Sequence, residues 1–261
     1  MLDSPKNDPD LDRDLRTVWH PCTQMKDHVS VPPLLIERGE GIYLIDRNGK
    51  RYMDVISSWW VNLFGHNHPR LNAALKDQAD RMAHVMFAGV THSPAIDLAC
   101  SLVDLTPPHL TRVFFSDNGS TSVEVALKMS LQYWQQTGQA KRTRFVHLSG
   151  GYHGETLGAL SVCGIDLFRK KFKKVLMKNI EVTGPNCFRC SYNLRPESCG
   201  AECFETMEKT LSINAKTVAG VVVEPLVQGA AGMKMYPPVY LKKLEDACAS
   251  TGVHTIYDEV A

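Results

Sequence analysis

The chain has 261 residues, of which 44% are hydrophobic, enough to bury the core of one large domain with a smaller lobe. Lysine and arginine number 29 against 28 aspartates and glutamates, and this net charge of +1 gives no reason to expect a nucleic acid or a membrane surface as partner. No apolar run approaches the ~20 residues that a membrane span needs, and residues 1–15 are too polar for a signal peptide, so the sequence predicts a cytoplasmic protein.

Residues 1–60 are predicted to form the N-terminal segment of a small lobe. The stretch 41–55, GIYLIDRNGKRYMDV, has two β-rich runs around Asn48 and Gly49, the commonest pair in a two-residue hairpin turn. A large domain is predicted from residue 61 to residue 261. Helical spacing of apolar residues predicts a helix within 68–85, and a Ser-Pro pair predicts the start of another within 93–105.

Strands and helices then alternate along the chain. TRVFF and RFVHL each precede a turn and a helix, VAGVVV precedes a loop, and YLKKLEDACASTG predicts a helix before the strand HTIY. Such alternation predicts an α/β fold with a mainly parallel, doubly wound sheet and a small N-terminal lobe. The basic run 168–178 is interpreted as a solvated helix or loop face, because the total charge is nearly neutral.

Ligands of such sheets bind beyond the carboxyl ends of the strands, where this chain has two loops of small residues. SDNGSTS, 116–122, offers free N–H groups at a helix start that suit a phosphate, although by itself an ordinary N-capped turn explains it better. SGGYHGET, 149–156, places Tyr152 and His153 among three glycines, which leaves room for a flat ligand. The alternative is an ordinary Gly-rich loop.

Two further predicted strands each end in a carboxylate. Glu224 and Asp258 each follow an apolar strand that should be fully buried. A buried carboxylate needs a partner, which a protonated ring nitrogen can supply; a structural role in capping a helix explains either one equally well. A phosphate cup, an aromatic ring and a carboxylate for a pyridinium together indicate pyridoxal phosphate, whose protonated ring acts as an electron sink.

At these residues the chain resembles the class III aminotransferases, a family of fold-type-I pyridoxal phosphate enzymes. The resemblance runs from Trp19 to residue 261, through WHPCTQM, SSWWVNLFGHNHPRLNAAL, HVMFAGVTHSPAI, VEVALKMSLQYW, GGYHGET, VEPLVQGAAGMKMY and DEVA. It is strongest to the branch of biotin biosynthesis, which implies S-adenosylmethionine as donor and 8-amino-7-oxononanoate as acceptor, giving 7,8-diaminononanoate. The alternatives are a class III aminotransferase of ω-amino acids and a non-catalytic relative.

The resemblance implies a role for each residue singled out above. Gly119 and Ser120 would bind the cofactor phosphate. Tyr152 would stack on the cofactor ring and border the substrate. Asp258 would pair with the pyridine nitrogen, and Glu224 would support the site near the ring.

Further implications concern the substrate pocket and the rest of the enzyme. Trp59 would line the substrate pocket, although Trp59 and Trp60 also suit a core or an interface. The family usually has a tyrosine of the substrate pocket at the position of Cys22, so an altered substrate preference is expected.

The family is dimeric, which implies a homodimer. Its Schiff-base lysine lies beyond the aspartate strand, so no catalytic residue is assigned, and the chain is expected to be an inactive N-terminal portion of a longer enzyme.

One motif has no place in this scheme. Four cysteines follow the spacing C-x2-C-x8-C-x3-C: Cys187, Cys190, Cys199 and Cys203. The spacing is compatible with zinc or an iron–sulfur cluster but matches no established motif, so no metal is assigned. The other four cysteines are scattered, which favours reduced thiols over a disulfide framework.

Overall fold

The computed structural model of the chain describes residues 8–260, and it divides into two compact units, Met1–Ser101 and Leu102–Ala261. Residues 1–7 and 261, which include the start of the predicted small lobe and the end of DEVA, lie outside the described residues. The predicted boundary at residue 60 stays a prediction. The first unit contains α1 (Pro9–Thr17), a 3-10 turn (Met25–Val29), β1 (Ile36–Glu40), β2 (Tyr43–Asp46), β3 (Arg51–Met53), α2 (Ser57–Trp60), α3 (Pro69–Arg81) and most of α4 (Ser93–Leu105).

The predicted hairpin is present in the first unit. β2 pairs antiparallel with β3, and β1 pairs with the other edge of β2. The carboxylate of Asp46 closes the turn, because its Oδ1 accepts the N–H groups of Asn48 and Lys50, each at 2.9 Å. Gly49 has a φ of +81°, which a residue without a Cβ adopts at low cost. Turn chemistry and strand pairing therefore agree here.

α2 is a single left-handed turn. Its four residues have φ between 47° and 68°, and none of them is glycine. The left-handed helix costs L-residues roughly 1–2 kcal/mol each, because the Cβ approaches the next carbonyl oxygen. The turn is closed by the N–H of Trp60, which donates to the carbonyl of Ile56 at 2.8 Å. The segment that carries Trp59 is therefore strained, which is common in functional segments.

The second unit is built on a parallel sheet whose strands lie in the order β5 (Ile180–Val182), β4 (Arg144–Leu148), β6 (Val218–Val223) and β9 (His254–Tyr257). From β4 the chain continues to β5 on one side, whereas β6 and β9 lie on the other side of β4. Open α/β sheets bind ligands at such a switch point, which here lies between β4 and β6. The elements of this unit are α5 (Gly119–Gln136), β4 (Arg144–Leu148), α6 (Leu157–Ser161), α7 (Asp166–Arg169), β5 (Ile180–Val182), α8 (Glu205–Asn214), β6 (Val218–Val223), β7 (Val227–Gln228), β8 (Lys234–Met235), α9 (Pro238–Thr251) and β9 (His254–Tyr257), with 3-10 turns at Lys170–Phe172, Pro196–Ser198 and Glu202–Phe204.

Helices cover both faces of this sheet, which confirms the predicted doubly wound α/β class. All six residues of β6 are buried, as an apolar strand between two helical layers should be. None of the described helices is long and apolar enough to span a membrane. On one face the core includes Met207 and Leu211 of α8 with Tyr240 and Leu244 of α9; on the other it includes Val123, Leu127 and Trp134 of α5 with Ala159 of α6.

The strand predicted in TRVFF is absent. Residues 111–116 have no regular secondary structure, and Phe114 is 68% exposed. A strand exists only where ladder hydrogen bonds join it to a neighbour, and none of the described strands pairs with this segment. The apolar run has the β propensity of a strand but lacks a partner.

Candidate active site

The predicted phosphate turn is an N-capped helix start. Asn118 caps α5, because its Oδ1 accepts the N–H of Thr121 at 3.0 Å while Oγ1 of Thr121 accepts the N–H of Asn118 at 3.1 Å. The N–H groups of Gly119 and Ser120 lie in the first turn, where a helix offers them no acceptor of its own. These N–H groups and the positive end of the helix dipole favour an anion.

The Ser120 hydroxyl joins this turn to the Gly-rich loop. It accepts the N–H groups of Glu155 and Thr156, each at 3.1 Å, and donates to Oγ1 of Thr156 at 3.1 Å. The loop comes so close that a Cβ on Gly154 would lie 2.8 Å from Cα of Ser120. The structure thus brings together two loops that the sequence singled out separately, and Ser120 uses its hydroxyl for that junction.

Replacing Ser120 with alanine should lower the free energy of unfolding by about 1–2 kcal/mol, because two backbone N–H groups lose their acceptor. Ser122 provides the matched control, since its hydroxyl donates to the carbonyl of Asn118, the N-cap residue of the same helix, at 3.0 Å. Urea unfolding of the two alanine variants of the complete protein measures the difference. Equal losses in both variants would show that the junction contributes no stability.

Glu224 directly follows β6 at the switch point and accepts hydrogen bonds from two loops. Its Oε2 accepts the N–H of Tyr152 at 3.0 Å, and its Oε1 accepts the N–H of Gly229 at 2.9 Å. The residue is 7% exposed. Burial raises the pKa of the Glu224 carboxyl above its usual value, while these two N–H groups act in the opposite direction. The partners of this carboxylate are therefore backbone amides, and its position fixes the main chain at Tyr152.

The raised pKa of Glu224 predicts a pH-dependent loss of stability. Between the usual carboxyl pKa of 4.5 and the raised value, the folded protein holds a proton that the unfolded chain has released. Stability from this group is therefore present at low pH and falls as pH rises through the raised pKa. In Glu224→Gln this titration is absent, so the unfolding free energy of the wild type minus that of the variant should decline over this range. Urea unfolding from about pH 4 to 8 measures it, and a flat or rising difference would contradict the assignment.

His153 and Asp258 form a buried pair. Nδ1 of His153 lies 2.8 Å from Oδ2 of Asp258, with side chains 0% and 6% exposed. Asp258 is held at the end of β9, since its N–H donates to the carbonyl of Val223 at 2.8 Å. Nε2 of His153 has no hydrogen-bond partner among residues 8–260. The proton therefore belongs on Nδ1, from which the imidazole orients the carboxylate.

These groups converge on one edge of the sheet. A Cβ on Gly119 would lie 2.8 Å from Cγ2 of Val260, so the phosphate turn adjoins the segment that carries Asp258. The ring of Tyr152 packs against Phe168 with centroids 5.1 Å apart, and its hydroxyl donates to Oε1 of Glu155 at 3.2 Å. An anion site, an aromatic ring and a buried carboxylate with an imidazole behind it fit a phosphorylated pyridine.

Two residues of the predicted substrate pocket lie in the other compact unit. Trp59 is 61% exposed in the left-handed turn α2. Cys22 is an exposed free thiol with a φ of 55°. Their part in substrate binding stays a prediction.

Comparison with known proteins finds relatives that match nearly the whole chain. The model of the class-III aminotransferase family matches residues 24–261. The adenosylmethionine-8-amino-7-oxononanoate aminotransferase of Geobacter sulfurreducens is 44% identical over 251 residues, which are 96% of this chain and 55% of that enzyme. The crystal structure of the enzyme of this name from Methanocaldococcus jannaschii superposes with a TM-score of 0.88 at 41% identity, over 96% of this chain and 54% of that one.

A relative of different name is nearly as similar in structure. An amine transaminase from an uncultivated Pseudomonas species, solved in a PLP-bound form, has a TM-score of 0.85 at 34% identity and covers 94% of this chain and 56% of its own. The chain spans about half the length of the relatives that it matches.

Proposed function

We propose that this chain, which belongs to the class-III aminotransferase family, forms the cofactor-binding part of an enzyme that transfers an amino group from S-adenosylmethionine to 8-amino-7-oxononanoate. The product would be 7,8-diaminononanoate. The observation that carries the proposal is 44% identity, over 96% of the chain, to a relative named for these two compounds. Because the chain spans about half of that relative, the activity is proposed for the whole protein.

Pyridoxal phosphate is the cofactor of this family, and we assign its contacts residue by residue. The N–H groups of Gly119 and Ser120 would bind the phosphate, and the ring of Tyr152 would stack on the pyridine. Asp258 would hold a proton at the ring nitrogen. When bound, the cofactor supplies an electron sink for negative charge next to the transferred nitrogen.

Other residues of the chain would support these contacts. Nδ1–H of His153 would donate to Oδ2 of Asp258 and so orient the carboxylate that faces the ring nitrogen. Glu224 would fix the backbone at Tyr152 and so the height of the aromatic ring above the pyridine. His153 is a positioning group, because no contact with the cofactor is assigned to it, whereas Glu224 is also proposed as one of the residues that bind the cofactor.

The test is an amino-donor assay on the complete protein loaded with pyridoxal phosphate. S-adenosylmethionine with 8-amino-7-oxononanoate should give 7,8-diaminononanoate, detected by mass spectrometry, with the ping-pong kinetics of two half-reactions. Turnover with ω-amino acids and none with S-adenosylmethionine would favour the ω-transaminase alternative, in line with the amine transaminase relative. Failure to take up the cofactor at all would indicate a non-catalytic relative.

Two finer points belong to the same proposal. A homodimer is proposed from the family resemblance, and a stable, active monomer in light scattering would contradict it. Cys22 is proposed to weaken or alter substrate preference. Kinetics of Cys22→Tyr test that point, and unchanged constants for both substrates would refute it.

A further inference from the structure

The four motif cysteines lie around one cavity. Its volume is about 250 Å³, and its walls include Tyr240, Arg189 and Lys234. All eight cysteines of the chain are free thiols. The cysteine cluster, defined as Cys187, Cys190, Cys199 and Cys203, therefore brings two sequence pairs to a common space, which the motif spacing by itself did not establish.

The backbone holds each pair in a turn. Cys187 and Cys190 flank a turn that is closed by Oδ1 of Asn186, which accepts the N–H of Arg189 at 3.2 Å. In the second pair, the N–H of Ala201 donates to Sγ of Cys199 at 3.3 Å, and Ala201 has a left-handed φ of 57°. The sulfur of Cys199 is thereby tied to the backbone of its own turn.

The hydroxyl of Tyr240 is an independent sign of a missing partner. Tyr240 is 0% exposed, lines the same cavity, and its Oη has no hydrogen-bond partner among the described residues. Buried hydroxyl groups are nearly always paired, so this one calls for an acceptor in the cavity. A thiolate sulfur of the cysteine cluster would provide it.

Charge in the cavity favours a cation bound by thiolates. Four thiolates around one cavity repel one another unless a positive ion lies at their centre. Soft thiolate ligands favour zinc among the common ions. Four thiolates and one divalent ion leave a charge of −2, which Arg189 and Lys234 in the cavity wall would offset.

We propose that the cysteine cluster is a structural zinc site. Among residues 8–260 no three His, Cys, Asp or Glu side chains are placed so that they could hold a metal ion as they stand, so binding would require the cluster thiols to turn into the cavity that they line. Zn²⁺ replaces the four thiol protons, which pass to solvent, and no electrons are transferred. The bound ion would fix the loop between β5 and α8, which otherwise has only 3-10 turns.

Elemental analysis of the complete protein, purified without added metal, tests the site. About one zinc per chain is expected in the wild type, with a large loss in Cys190→Ser and in Cys199→Ser. Cys100→Ser is the matched control, because Cys100 is an exposed free thiol in the first compact unit, and it should keep its zinc. Zinc in the wild type no higher than in the two cluster variants, iron with sulfide, or disulfides within the cluster would each overturn the proposal.

Two further measurements cover variants that fail to fold. Wild-type protein stripped by a chelator should take up Co²⁺ with the absorption of a tetrahedral thiolate complex, and absence of that absorption would overturn the proposal. Tyr240→Phe should retain zinc but release it to a competing chelator about 10- to 100-fold more readily, because loss of a hydrogen bond to a metal ligand typically lowers metal affinity by that factor. Neither readout depends on aminotransferase activity, so this proposal and the proposed function fail separately.

Discussion

Asp258→Asn is expected to lower kcat/KM of the complete enzyme by roughly 10²- to 10³-fold, or about 3–4 kcal/mol. An amide cannot neutralise a protonated ring nitrogen, and the amide group would face the Nδ1–H of His153 at 2.8 Å, where one of its two rotamers places donor against donor. Steady-state kinetics with saturating cofactor measure the loss. The absorption spectrum of the bound cofactor reports the altered ring environment independently of turnover.

Asp246→Asn is the matched control for this variant. Asp246 is an exposed carboxylate on α9 that pairs with Lys242 at 3.1 Å. Its replacement should leave kcat/KM unchanged, because exposed ion pairs contribute little. Thermal unfolding of both variants separates a loss of chemistry from a loss of fold. Wild-type kcat/KM in Asp258→Asn would show that Asp258 is not the ring partner.

Trp134→Ala should destabilise the protein by about 3–5 kcal/mol. Trp134 is 5% exposed in the core that α5 forms on the sheet. Its Nε1–H donates to the carbonyl of Ala219 at 2.8 Å, and its ring stacks on His254 with centroids 4.5 Å apart. Alanine would leave a cavity and weaken the contact between helix and strand. Urea unfolding of the complete protein measures the change.

Two further substitutions separate the causes of that loss. Trp134→Phe keeps most of the buried ring but loses the hydrogen bond to Ala219, and about 1–2 kcal/mol is expected. Trp19→Ala makes the same change at a residue that is 81% exposed, where the effect should stay within about 0.5 kcal/mol. Similar losses in Trp134→Ala and Trp19→Ala would contradict the packing argument.

The predictable part of the fold is the part that follows from local pattern and burial. VAGVVV became β6 because a strand covered on both faces must be apolar at every position. TRVFF has a similar composition and is no strand, because pairing depends on residues far away in the chain. The left-handed turn Ser57–Trp60 was equally outside prediction, since local sterics oppose it and only its surroundings can maintain it.

The candidate site likewise has a part that the sequence predicted and a part that it did not. The positions of Glu224 and Asp258 were predictable, because a carboxylate that directly follows a strand of a parallel sheet lies at the edge of the sheet where ligands bind. Their partners were not, since Tyr152 donates to Glu224 across 72 positions of sequence and His153 reaches Asp258 across 105. A histidine next to Tyr152 was visible in the sequence, but nothing local to it indicated which carboxylate it would meet.

The position of β9 has a consequence for how long a bound ring would stay in place. In the described part of the chain β9 is hydrogen-bonded to β6 alone, whereas β6 is paired on both sides. Strands held by one ladder open by local fluctuation more often than inner strands, so amide protons of His254–Tyr257 should exchange faster than those of β6. Each such opening would withdraw Asp258 from His153 while the inner sheet stays intact. The residence time of a ligand on this carboxylate would then depend on how often β9 alone opens.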